Sequence, residues 1–315
     1  MRSDEGADEE SGLRKNNDMR KRIAIRGFCI FCIALFTSFT GCREPVQQTV
    51  SPPGYDLAAP KKFLMNDVLH EISGIVLLKG NPDTMYAIED EDGKLFYIHL
   101  GDGKYPYWKF GKRGDYEDVA ILDNKEFVVL RSDGSLFVFP IDRERMEKDS
   151  DRSKKSEQGL TKVYENILPA GEYEGLYADG EGRLIALCKN CADDNQRDEV
   201  SGYVLQYNAG HELAVTSHFL VTVNPAKLTS EHNKAKFHPS ALARHPVTKE
   251  WYILSAVNKA LLVLDDQWKL KKTYALDPVL FKQPEGLAFD GKGNMYISNE
   301  GAGGNANVLL FSYKP

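Results

Sequence analysis

Cysteine is scarce in this chain, clustered basic charge is missing, and no apolar stretch behind the N-terminus is long enough to cross a bilayer as a helix. Five cysteines stand among 315 residues, too few for a disulfide-dense scaffold that dispenses with a hydrophobic core. Lys and Arg number 40 against 46 Asp and Glu, with no basic stripe and no aromatic–arginine cluster; nucleic-acid binding, which needs clustered cations to neutralise phosphates, is excluded. Gly-x-Ser-x-Gly, His-Glu-x-x-His and Gly-x-x-x-x-Gly-Lys are all absent, removing the serine-hydrolase, zinc-peptidase and nucleotide-binding signatures. Of seven histidines only His70, His238 and His245 fall near the repeat starts described below. No sustained helical periodicity follows the N-terminal segment, which leaves an all-β chain with 42% hydrophobic residues for its core.

The N-terminus reads as an export signal. Arg20, Lys21, Arg22 and Arg26 precede a 13-residue apolar run, Phe28 to Thr40, too short for a spanning helix and suited to a signal-peptide core. The run ends in Phe39-Thr40-Gly41-Cys42, which resembles a bacterial lipobox; Phe39 stands where leucine is usual. Residues 1–41 are therefore expected to be a lipoprotein signal peptide. Cys42 is expected to carry a diacylglyceryl group that anchors the chain to the bilayer, and residues 42–59 to form a tether. Met-Arg-Lys-Arg at Met19 makes a better start than the acidic residues 1–18, which are read as outside the natural chain or disordered. Of the cysteines beyond Cys42 only Cys188 and Cys191 remain, and in an oxidising compartment a Cys-Lys-Asn-Cys pair is expected to close a small disulfide, free thiols or a redox or metal role being the alternatives.

Behind the tether the chain repeats itself. Five segments share a polar or acidic residue, a small residue, an apolar strand, a turn and a second strand: Glu71-Ile72-Ser73-Gly74-Ile75, Tyr116-Glu117-Asp118-Val119, Tyr173-Glu174-Gly175-Leu176, Pro239-Ser240-Ala241-Leu242 and Pro284-Glu285-Gly286-Leu287. Intervals of 46, 57, 66 and 45 residues separate them. Units of about 40–50 residues with four short strands are propeller blades. Asp-Gly turns at Asp92, Asp133, Asp179 and Asp290 punctuate the strands. The spacing predicts a five-bladed β-propeller over residues 60–315, six blades being the alternative. His218 to Val223 is expected to be a fourth strand, and Pro60 to Leu69 to supply an outer strand that closes the ring. The charged stretch Arg143 to Gln158 is expected to be a solvated insertion.

At these repeat starts the chain resembles the SdiA-regulated family of bacterial exported propellers, over roughly residues 65–315. The matching residues are Glu71-Ile72-Ser73-Gly74-Ile75, Asp115-Tyr116-Glu117-Asp118-Val119, Tyr173-Glu174-Gly175-Leu176-Tyr177 and Gln283-Pro284-Glu285-Gly286-Leu287-Ala288, with Ser298-Asn299-Glu300 near the end. The resemblance implies a fold and an exported location, without an activity. The fourth repeat departs by lacking the acidic residue.

The first strand of each propeller blade faces the central axis, so Glu117, Glu174 and Glu285 are expected to converge there, with Glu71 or Ser73 and Ser240 between them and Glu300 near one rim. Such a set of oxygens suits Ca²⁺, which takes 6–8 oxygen ligands in irregular geometry; the alternative is that the glutamates accept backbone hydrogen bonds and lock the ring. Function is read as a binding or scaffolding module of the cell envelope, its partners an envelope protein or glycan. A metal-dependent hydrolase, lactonase- or phosphoesterase-like, is the alternative. Tyr105, Tyr107 and Trp108 offer either a contact patch or outer-strand packing.

Overall fold

The computed structural model describes residues 50–315 apart from 80, 143–159, 193, 195–197, 225–227 and 229–235. The segments read as signal peptide, start of the tether and charged insertion, together with Cys42, lie outside the described residues. After a short strand, β1 (Lys61–Leu64), each repeat folds as an antiparallel four-stranded meander. Blade 1 is β2 (Ile72–Leu78), β3 (Asn81–Glu89), β4 (Lys94–Ile98) and β5 (Tyr107–Lys109). Blade 2 is β6 (Tyr116–Leu122), β7 (Glu126–Arg131), β8 (Leu136–Pro140) and β9 (Lys162–Tyr164). Blade 3 is β10 (Gly171–Gly180), β11 (Arg183–Cys191), β12 (Glu199–Tyr207) and β13 (Leu213–Thr222). Blade 4 is β14 (Ala241–Arg244), β15 (Trp251–Ser255), β16 (Ala260–Leu264) and β17 (Leu270–Ala275). Blade 5 is β18 (Pro284–Phe289), β19 (Met295–Asn299) and β20 (Asn307–Phe311), with β1 as its outer strand.

The fold is a five-bladed β-propeller. Its inner strands touch in the cyclic order β2, β6, β10, β14, β18 and back to β2. Ring closure is non-local: Lys61 pairs with Leu310 and Leu64 with Asn307. The run around His218 is the outer strand of blade 3, so among the described residues the long third interval holds no sixth blade.

Strand periodicity explains how the blades stick together. Successive side chains of a strand point to opposite faces. In β11, Leu184 and Ala186 join the core between blades 2 and 3, while Ile185 and Leu187 join the core between blades 3 and 4. The apolar residues form five such clusters, one at each junction. Middle strands are buried on both faces, as in Trp251–Ser255 and Ala260–Leu264, and read as continuous apolar runs. Trp108 packs against Phe139 in the core between blades 1 and 2, and Tyr105 and Tyr107 are half-buried beside blade 1.

At three of the Asp-Gly turns the glycine adopts the left-handed conformation that L side chains avoid: Gly93, Gly134 and Gly180, with φ of 61°, 82° and 82°. The fourth turn differs. Asp290 Oδ1 caps the amides of Lys292 and Asn294, each at 2.9 Å. This lengthens the turn and moves the left-handed residue to Gly293, with φ of 89°.

Candidate functional site

Each inner strand except β14 carries an irregularity at its repeat motif. In β6 the pairing jumps from Tyr116↔Arg131 to Asp118↔Leu130, leaving Glu117 as an extra residue. The same jump leaves Glu174 extra in β10 and Glu285 extra in β18. In β2 the residues spanned are Ser73 and Gly74. A β-bulge takes its residue out of the pleat and re-aims the side chain. β14 starts at Ala241 with regular pairing, and Ser240 precedes it with its amide bonded to Leu254 O.

All five blades contribute to one pocket where these positions meet, a cavity of about 160 Å³. Six carboxyl groups line it, from Asp90, Asp115, Glu117, Glu174, Glu285 and Glu300, together with Lys189, His238, Gln283, Ser73 and Ser240. Two of the carboxyls are held by neighbouring donors. Lys189 Nζ donates to Glu174 Oε1, and Gln283 Nε2 donates to Glu300 Oε2. Glu117 and Glu174 line the pocket together, and burial is the largest influence on the ionisation of each.

Burial disfavours the ionised form of a carboxyl, and neighbouring carboxylates add to the effect. Burial first, and the charge of Glu174 next, hold Glu117 and Glu285 well above the usual carboxylate range. Burial, followed by the charges of Asp90 and Glu71, pushes Glu300 up to about 7. Burial, then Glu71 and Glu89, pushes Asp90 to about 7 as well. His238 moves the other way, lowered by burial and by the positive charge of Lys189. Asp90 Oδ1 and His238 Nδ1 are buried without a hydrogen-bond partner among the described residues. Also among the described residues, no three His, Cys, Asp or Glu side chains are gathered as a ready-made metal cage.

The ring-locking hydrogen bonds come from neighbours of the glutamates. Asp118, fully buried, accepts from the amide of Leu176 in the next blade at 2.7 Å and from that of Val119 at 2.8 Å. Ser73 Oγ donates to Glu117 O at 2.7 Å, Ser240 Oγ to Pro284 O at 2.8 Å, and Ser298 Oγ to Ser73 O at 2.9 Å. Close approach of adjacent blades also fixes the small residue of the motif. A Cβ on Gly74 would lie 2.5 Å from Asp118 Cα, and one on Gly286 would lie 2.5 Å from Ser73 O.

With this geometry in view, the family model for SdiA-regulated proteins matches residues 48–302. The chain belongs to the SdiA-regulated family. No curated protein matches it. Among solved structures it is similar to the PQQ-bound aldose sugar dehydrogenase of Streptomyces coelicolor, at 12% identity over 84% of this chain and 100% of that one, TM-score 0.49. It is also similar to a luciferin-regenerating enzyme, at 11% identity over 81% of this chain and 95% of that one, TM-score 0.46. A third is virginiamycin B lyase from Staphylococcus aureus, at 10% identity over 81% and 70% of the two chains, TM-score 0.41. Likeness this distant carries no chemistry.

In this SdiA-regulated propeller the pocket gathers Glu117, Glu174, Glu285 and Glu300 with Ser73 and Ser240. Glu71 is exposed, sits ahead of β2 and is not part of the lining; Ser73 holds the equivalent position of blade 1. Cys188 and Cys191 are disulfide-bonded, Cα to Cα 5.8 Å, enclosing Lys189 and Asn190 between them. Asp90 and Lys189 are lining residues that the sequence reading does not name, and Asp115, His238 and Gln283 are ones it names beside the motifs without assigning them to the site. Asp115 and Gln283 sit just ahead of inner strands, and their nearness to the motifs is the one sequence signal available for them.

Proposed function

We propose that this chain is a binding module of the bacterial cell envelope, anchored to the bilayer through a diacylglyceryl Cys42, whose central acidic pocket takes Ca²⁺. The observation that carries this reading is the convergence of six carboxyl groups from four blades on one small, half-buried cavity. Carboxyls held partly protonated by burial and by one another ionise when a cation arrives, so cation binding relieves the cost of placing them together. Calcium fits better than zinc, because the lining offers six carboxyls against one imidazole and no thiolate, and calcium accepts irregular oxygen shells. Binding draws the carboxylates inward from their separate partners.

The test is a calcium titration of the full chain, following the thermal midpoint with and without chelator. A rise at millimolar calcium, lost in Glu117→Gln and in Glu174→Gln, is the expected result. No rise overturns the reading, and partner capture from envelope fractions becomes the next measurement.

A second reading has one observation in its favour. Glu117 and Glu174 line the pocket together with Lys189, which pairs with Glu174, an arrangement suited to general acid–base catalysis in a metal-dependent lactonase- or phosphoesterase-like hydrolase. Turnover of lactone or phosphoester substrates that disappears in Glu117→Gln would support it; absence of turnover across both classes, with calcium bound, would end it.

A further inference from the structure

Lys189 is the one lysine lining the pocket among the described residues, and blade 3 is built to hold it there. Two bulges lie at the same level of this blade. Glu174 is extra on β10 between Tyr173 and Gly175, and Lys189 is extra on β11 between Cys188 and Asn190. Both side chains leave the pleat on the pocket side and meet, the ammonium donating to Glu174 Oε1. The Cys188–Cys191 disulfide spans the β11 bulge. Both sulfurs press against Gly171 on the opposite strand, where a Cβ would lie 2.6 Å from Cys191 Sγ and 3.0 Å from Cys188 Sγ. The cystine is buried, with Cys188 at 0% and Cys191 at 5% exposure, so it acts as a fixed clamp on the bulge.

We infer that Lys189 is a built-in competitor for the pocket's cation and selects divalent over monovalent ions. This inference rests on the reading that the pocket takes a cation. A single positive charge already sits among Glu117, Glu174 and Glu285. A monovalent ion that displaces it gains no charge compensation and gives up translational freedom that the tethered ammonium never had. A divalent ion leaves the same carboxylates better neutralised and so outcompetes the tether.

The test compares the full-length wild-type chain with Lys189→Met, which keeps the apolar stem and removes the charge. Each is titrated with calcium chloride and, separately, sodium chloride, by calorimetry and thermal midpoint. Lys189→Gln replaces the methionine variant should that one fail to fold. The expected result is calcium affinity higher by about tenfold in the variant, the scale of one partly buried ion pair, together with a sodium-dependent rise in midpoint that the wild type lacks. Equal or weaker calcium binding in the variant overturns the inference while leaving calcium binding itself intact. Binding in the variant alone supports the competitor role and overturns calcium as the native ligand. Binding in neither chain overturns both.

Discussion

Blades 1 and 4 carry serine at the motif position where blades 2, 3 and 5 carry glutamate, and the two side chains do opposite work. The serines turn to the neighbouring blade: Ser73 and Ser240 each donate to a carbonyl of the next inner strand. The glutamates turn inward and gather in the pocket. Length explains the division. A serine hydroxyl reaches only the adjacent backbone, whereas a glutamate carboxyl reaches past it toward the axis. Blade 2 does both jobs with adjacent residues, Glu117 facing the pocket and Asp118 tying β6 to β10. Ring locking and the gathering of carboxyls in the pocket are therefore separable by mutation, although they share one motif.

Breaking the tie at Asp118 is the most damaging way to test that separation. Asp118→Ala leaves the Leu176 and Val119 amides buried without their acceptor, and is expected to cost about 2 kcal/mol, read as a thermal midpoint lower by about 5 °C. Calcium affinity should be retained in whatever fraction stays folded. Ser73→Ala and Ser240→Ala each remove one neutral hydrogen bond at about 1 kcal/mol, measured by chemical denaturation, again with the calcium response unchanged. A serine variant that abolished the calcium response while remaining folded would merge the two roles.

Glu300→Gln should show its effect in pH dependence. Burial and the charges of Asp90 and Glu71 place the folded-state pKa of Glu300 at about 7, above its unfolded value of about 4.3. A raised folded pKa favours folding fully below the unfolded pKa, and that contribution is lost as pH rises through 7. The calcium-free chain should accordingly lose stability between about pH 4.3 and 7, and Glu300→Gln should make that decline shallower. A decline of unchanged depth in the variant would place the titrating group elsewhere, with Asp90 next in line.

The blades were readable because their signals are local. Apolar strands, Asp-Gly turns and a recurring motif each occupy a few consecutive residues, and the repeat interval supplies the rest. Convergence of Glu117, Glu174 and Glu285 was readable for the same reason, since equivalent positions of a cyclic repeat must face one axis. Asp90 and Lys189 share the repeat position of Glu300, just past the residue paired with Ile72, Tyr173 or Pro284, and His238 shares that of Asp115 and Gln283; they were hidden because the residue type at these positions changes from blade to blade. Lys189 reaches the pocket only because pairing with β10 leaves it unmatched, a property of two strands together. Glu71 was a near miss in register: aligning Ile72-Ser73-Gly74-Ile75 with Tyr116-Glu117-Asp118-Val119 puts Ser73 at the pocket position. The shift of the last turn from Gly291 to Gly293 depended on Asp290 capping two amides beyond it.

The pairing of β1 with β20 also governs the order of assembly. Lys61 has to wait for Leu310, so as the chain is synthesised from its N-terminus the earliest-emerging strand of the ring remains without its partner until the last blade has followed. Until that moment two sheet edges stand bare, each able to template pairing with a foreign strand. Completion of the circle is thus the step at which this chain stops being vulnerable to its neighbours, and a holding chaperone would be of most use to it just before then.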